Sequence, residues 1–179
     1  MNYVALLRGI NVGGKVMVPM AELRALVEGA KFTGVRTLLQ SGNVLFSGDV
    51  ADETALERKL ESAAAKKFGR VIEFLVRDAA AWKKIIAGNP FADEAKRDPS
   101  HLVVLCLKAT PGKEALVALK TAISGREVFR AGEGCLYLYY PEGIGRSKLT
   151  SAVIDRKLGI SGTARNWNTV LKIAAGLEG

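Results

Sequence analysis

Four short stretches of this 179-residue chain gather cations, amides and glycines in patterns that suit anion chemistry. The first is Arg8-Gly9-Ile10-Asn11-Val12-Gly13-Gly14-Lys15, which follows an apolar run from Tyr3 to Leu7. Such a glycine cluster signals a special turn or a close backbone approach, and its exposed amides can hold an oxyanion. Gly9-x-x-x-x-Gly14-Lys15 nearly completes a phosphate-binding P-loop, but Val16 stands where that motif needs Ser or Thr to meet magnesium. The next helical pattern begins only near Pro19, and no later strand ends in the Asp that a nucleotide-hydrolysing site requires. Arg8, Asn11, Gly13, Gly14 and Lys15 are therefore candidate anion contacts, with a tight structural turn as the competing reading.

Gln40-Ser41-Gly42-Asn43 lies between two strand-like runs. It reads as a hairpin turn in which Asn43 bonds its own backbone. Gln40 and Asn43 become ligand candidates if the turn shares a sheet edge with Arg8, which a normal crossover connection allows. Tyr139-Tyr140-Pro141-Glu142-Gly143-Ile144-Gly145-Arg146-Ser147-Lys148 is the densest polar stretch. Arginine offers a planar fork for phosphate or carboxylate, and Ser147 is expected to cap a following helix whose free amides face the anion. The plain alternative is a capping Ser147 with Arg146 and Lys148 solvated. In Arg165-Asn166-Trp167-Asn168-Thr169, polar side chains flank an indole at a helix start. Trp167 belongs in a core, while Arg165, Asn166 and Asn168 either meet a ligand or satisfy the helix end.

Common catalytic arrangements are thin. His101, the single histidine, has no cysteine or carboxylate cluster at metal spacing and reads as structural or solvated. No Gly-x-Ser-x-Gly elbow occurs, and Ser147 and Lys148 are neighbours whose side chains would point apart on a helix. No metal site is expected, and no cofactor or reaction is named by these residues.

The elements that would position these groups repeat. Residues 2–8 read as a central strand, with apolar residues on both faces. Pro19 suits the first helical position before the stripe Met20, Leu23, Leu26 and Val27. Strands over Val35–Leu39 and Val44–Phe46 follow, then a helix capped by Asp52 and stopped by Gly69, then a strand over Val71–Val76. The order is βαββαβ. Asp78 caps another helix, and Asn89 to Ser100 reads as a connector. The pattern then returns: a strand over Leu102–Leu107, a helix opened by Thr110-Pro111, and a hairpin over Val128–Ala131 and Cys135–Tyr140. A helix over about Lys148–Leu158, a short strand over Ile160–Thr163 and a last helix over about Asn166–Ala175 complete it. The expected fold is α+β: a ferredoxin-like half over 1–77, a helix and connector over 78–100, and a second ferredoxin-like half over 101–179, packed together. One continuous mixed sheet is the alternative.

Composition bounds the partners. The chain is 49% hydrophobic but only 7% aromatic, so aliphatic side chains must supply most of the packing. No apolar run is long enough for a membrane span, and no secretory signal pattern opens the chain, so a cytoplasmic protein with no membrane partner is expected. Cys106 and Cys135 sit in apolar strand-like runs and read as core residues. Net charge is +8, and residues 143–175 hold Arg146, Lys148, Arg156, Lys157, Arg165 and Lys172 against Asp155 alone. Such a field favours phosphates, nucleotides, nucleic acid or an acidic protein without choosing among them.

Taken together, Leu7 to Lys15, Gln40-Ser41-Gly42-Asn43-Val44, Tyr140 to Leu149 and Arg165-Asn166-Trp167-Asn168-Thr169-Val170 resemble the bacterial domain-of-unknown-function family numbered 1697. The resemblance runs almost from end to end. It implies a small cytoplasmic α/β protein with a duplicated ferredoxin-like arrangement, and no established activity, substrate or cofactor. The family's opening motif often continues with a polar residue after the lysine, where this chain has Val16. The residues themselves favour binding of a small anionic or phosphorylated ligand in a basic cleft between the halves. A nucleic-acid binder and a protein-interaction or structural module without catalysis are the alternatives.

Overall fold

The computed structural model describes residues 1–11, 17–50 and 52–179. The chain forms two compact units, one of residues 1–83 with 172–179 and the other of residues 84–171. Each holds a four-stranded antiparallel sheet with helices, and the order βαββαβ occurs in both.

In the first unit the order is β1 (Asn2–Leu7), α1 (Met20–Gly29), β2 (Thr33–Leu38), β3 (Asn43–Ser47), α2 (Glu53–Phe68) and β4 (Phe74–Asp78). The strands lie in the order β2-β3-β1-β4, so consecutive strands are split by a crossover, as a ferredoxin-like half requires. Residues 3–7 of β1 are all buried, which fits a central strand with two apolar faces. Helix α2 follows the local chemistry closely: Asp52 accepts from the amides of Thr54 and Ala55, and Gly69 ends the helix in the left-handed conformation. Its buried stripe, Leu56, Leu60 and Ala64, joins Tyr3, Val44 and Phe74 in the unit's core.

The outer strand β4 begins later than its apolar run suggests, because the register with β1 decides its limits. Phe74 pairs with Leu7 and Asp78 with Tyr3, which leaves Val71 outside the sheet and 83% exposed. The amides of alternate β4 residues are met from α2. Phe74, Val76 and Asp78 donate to Glu61, Glu57 and Glu53 at 3.1, 2.8 and 2.8 Å. Three glutamates at four-residue spacing lie along one helical face, so a single helix closes this sheet edge. Asp78 also accepts the Ala81 amide at 2.7 Å and starts α3 (Ala79–Ala87) without a linker.

After α3 comes a short helix α4 (Ala92–Arg97) within the connector stretch. The second unit continues with β5 (Leu102–Leu107), α5 (Lys113–Ala122), β6 (Val128–Gly132), β7 (Cys135–Tyr139), α6 (Ser151–Leu158), β8 (Gly162–Asn166) and α7 (Trp167–Glu178), in which the chain returns to the first unit. The strand order, β6-β7-β5-β8, matches that of the first sheet. Leu105, Leu136, Leu138 and Ile154 form the centre of its core. Cys106 and Cys135 are opposite each other in register, both buried and neither in a disulfide. Helix α6 starts three residues later than the sequence pattern suggests, because Thr150 rather than Ser147 caps it, through the Val153 amide at 3.4 Å.

Of the strand aromatics, Tyr3, Phe46, Phe74 and Tyr137 are buried and so closed to stacking by nucleic-acid bases, while Phe129 and Tyr139 are partly exposed. No helix among the described residues is long and apolar enough to cross a membrane.

Candidate functional site

Register gathers the first two polar stretches at one end of the first sheet. Leu6 stands opposite Asn43 and Leu7 opposite Phe74, so Arg8, the 39–42 turn and Glu73 share that edge. The Arg8 amide bonds the Glu73 carbonyl at 3.0 Å, and its guanidinium pairs with the Glu73 carboxylate at 3.2 Å. Asn11 stitches two loops together: its Nδ2 donates to the carbonyls of Gln40 and Val18 at 2.8 and 3.2 Å, and its Oδ1 accepts the Val18 amide at 2.9 Å. Asn43 is fully buried and its side chain donates to the Leu38 carbonyl at 2.7 Å, across the turn rather than to its own backbone. Gly42 has φ +76, and a Cβ there would come within 2.6 Å of the Ile10 side chain. The turn therefore needs a glycine both for its backbone and for its packing. Gln40 is exposed. Gly13, Gly14 and Lys15 lie outside the described residues.

The other two stretches meet at one end of the second sheet, where Leu102 pairs with Tyr139 and Val103 with Asn166. The chain leaves β7 into a loop closed by the Gly143 amide on the Tyr140 carbonyl at 2.9 Å, followed by a 3-10 turn over Ile144–Arg146. Ser147 ends that turn. Its hydroxyl donates to Glu127 Oε1 and accepts the Leu149 amide at 2.9 Å, so it is not the helix cap. The expectation that free helix amides at Ser147 hold an anion is thereby corrected. The buried Leu149 draws the chain inward, and the Tyr140 hydroxyl fixes its carbonyl at 3.2 Å. Burial, with the Glu127 charge nearby, pushes the Tyr140 hydroxyl up to about 12, so it stays protonated and donating.

Arg126, Glu127, Glu142, Gly143, Arg146 and Ser147 line a recess of about 20 Å³ at this loop. A space of that size admits about one water-sized group, such as an oxygen of a phosphoryl or carboxylate end. Arg126 and Arg146 are exposed, and neither carries an ion pair among the described residues, although two carboxylates line the same recess. Glu127 is held by Ser147 instead. Its second oxygen, Oε2, is buried without a hydrogen-bond partner among the described residues. Lys148 is also exposed.

Arg165 has a different setting. It is 6% exposed, and its Nη1 donates to Thr163 Oγ1 at 2.9 Å and to the Ala164 carbonyl at 2.8 Å. Burial pushes its guanidinium down to about 10, which still leaves it charged at neutral pH. Asn166 accepts the Thr169 amide at 3.0 Å at the start of α7, Trp167 is buried, and Asn168 is exposed.

One cluster escaped the sequence reading. His101 Nδ1 lies 2.9 Å from Asp98 Oδ2, and the Tyr139 hydroxyl donates to the same oxygen at 3.0 Å. Burial pushes the Asp98 carboxyl up, but the bonds from Tyr139 and His101 outweigh it and hold the group below its ordinary value. The only local sign was the three-residue interval between Asp98 and His101, which a search for metal spacing passes over.

No curated protein matches the chain. Among solved structures it is similar to the conserved bacterial protein SP0830 from Streptococcus pneumoniae, with a TM-score of 0.76 over 98% of each chain at 24% identity. A likeness at that identity shows a shared fold. A family model matches residues 1–137, and the chain belongs to the family described as a protein of unknown function, DUF1697.

Proposed function

We propose that the second unit binds the anionic end of a small phosphorylated ligand at the loop carrying Arg146. The observation that supports this reading most directly is the pair Arg126 and Arg146, which line one recess without an ion pair among the described residues. A guanidinium presents a planar fork matched to phosphate oxygens and keeps its charge at any physiological pH. The small recess suits one phosphoryl oxygen, with the rest of the ligand outside it. Lys148 adds a flexible positive charge to the same exposed segment. Arg8 is already paired with Glu73, and Arg165 is buried on hydrogen bonds of its own, so neither leads this proposal.

Calorimetric titration with inorganic phosphate and with a sugar phosphate tests the reading. Saturable binding is expected, and Arg146→Ala should weaken it about tenfold or more, the usual effect of losing a charge-assisted hydrogen bond. Arg156→Ala, an exposed cation on α6, should leave it unchanged. Uniform loss across both variants would mean a diffuse basic surface, and no saturable binding would end the proposal.

A further inference from the structure

The loop that carries Arg146 also faces the only histidine of the chain. His101 precedes β5 with its side chain 40% exposed. Asp98 Oδ2 sits 2.9 Å from Nδ1, is further held by the Tyr139 hydroxyl, and the Ser100 hydroxyl reaches Asp98 Oδ1 at 3.4 Å. A carboxylate on Nδ1 favours the tautomer with the proton there and leaves the Nε2 lone pair available. Nε2 has no partner among the described residues. Gly143 is what stands before it: a Cβ at that position would lie 3.3 Å from Nε2, and the residue has φ +85. A side chain at 143 would thus crowd the imidazole and strain the loop. The same Gly143 lines the recess beside Arg146, and the Tyr140 amide ties the loop to the His101 carbonyl at 3.0 Å. The glycine that stands next to the oriented Nε2 is thus also one of the residues lining the recess that Arg146 lines.

We propose that His101 is the acid–base catalytic residue of this site and that the site hydrolyses phosphate monoesters, an inference that rests on the anion-binding reading above. Arg146 holds non-bridging oxygens of the phosphoryl group. Nε2 takes a proton from a water molecule, whose oxygen bonds to phosphorus while the ester P–O bond breaks. The leaving oxygen departs on the side of phosphorus opposite the attacking water and takes a proton from solvent, while Nε2 returns its proton to water, so an alcohol and inorganic phosphate are released and nothing is oxidised or reduced. Asp98 is the positioning residue, keeping Nδ1–H in place and offsetting the charge of the imidazolium. Arg97 and Glu94, paired with each other at 3.0 Å, act on Tyr139, the third member of the cluster, and Glu142 and Arg146 lie on the loop whose Gly143 stands next to the ring.

The experiment measures 4-nitrophenol release from 4-nitrophenyl phosphate and, in parallel, long-range proton–nitrogen NMR of the single histidine ring during titration with inorganic phosphate. The wild-type ring should show the Nδ1–H tautomer, and its signals should move saturably with phosphate. His101→Asn should lower kcat about 100-fold or more, with KM and phosphate affinity within about threefold. Asp98→Asn should redistribute the tautomers and shift the pH–rate profile, which a merely structural carboxylate would not do. Because the ring observations use the unaltered protein, they hold even if a variant fails to fold. Phosphate binding without any turnover would overturn the hydrolysis and leave the binding reading intact. Turnover unchanged in His101→Asn, or an Nε2–H tautomer in the wild type, would overturn the role of His101. Absence of phosphate binding would remove both proposals.

Discussion

Arg146 is exposed and unpaired among the described residues, whereas Arg165 is 6% exposed and bonded to Thr163 and Ala164. The two arginines look alike in the sequence, each beside small polar residues, and only their partners separate a surface contact from a part of the fold. Arg146→Ala is expected to change stability by less than about 0.5 kcal/mol, as for an ordinary surface substitution. Arg165→Ala should cost about 2–4 kcal/mol, because it empties a buried site and strands a hydroxyl and a carbonyl. Urea unfolding at neutral pH measures both, and equal midpoints for the two variants would contradict the burial of Arg165. Asn11 and Asn43 belong with Arg165 in this respect. Their amides are engaged by backbone groups of neighbouring loops, so the polar character that made them candidates also explains their structural work.

Helix α2 shows how an element does two jobs at once. One face carries Leu56, Leu60 and Ala64 into the core, while Glu53, Glu57 and Glu61 accept the amides along β4. The cap at Asp52 and the stop at Gly69 were readable from local chemistry, since each depends on atoms within a few residues. The glutamate ladder was not, because its partners stand 13 to 25 residues away. Glu57 is 7% exposed and takes the Val76 amide at 2.8 Å. Glu57→Ala should therefore cost about 1–3 kcal/mol and speed hydrogen exchange at Val76 relative to Val44 in the neighbouring strand. Unaltered exchange at Val76 would show that the carboxylate does not close the edge. The same distinction explains α6: a helix beginning near Lys148 is a fair reading of the pattern, but Ser147 is engaged by Glu127 and the cap passes to Thr150.

At the scale of the whole molecule, each unit buries its central strand, β1 or β5, almost completely, and the thiols report on that burial in the second unit. Cys106 and Cys135 are 0% and 1% exposed. Both should be inert toward a disulfide reagent in the native protein and react fully in denaturant, with rates that follow opening of the second unit. Rapid reaction of either thiol under native conditions would mean that β5 and β7 are less protected than described. Among the strand aromatics of the described residues, Tyr3, Phe46, Phe74 and Tyr137 are buried and only Phe129 and Tyr139 are partly exposed, so few rings accompany the positive charge for the stacking that sequence-tolerant nucleic-acid binding relies on. Positive charge and the two ferredoxin-like halves made that class of partner attractive, but charge is a surface sum that says nothing about which rings remain outside.

Periodicity, turn residues and caps, all governed by neighbours within one or two turns of chain, were enough to state the βαββαβ order twice and to place the central strands. What folding in space decided was the state of each polar side chain: Ser147 joined to Glu127, Arg165 enclosed, Asp98 oriented toward His101 beneath a glycine loop. The partner of Ser147 stands 20 residues away, and although the partners of Arg165 and His101 are near in sequence, whether those side chains are enclosed and how they are oriented depends on strand pairing and desolvation that no local pattern records.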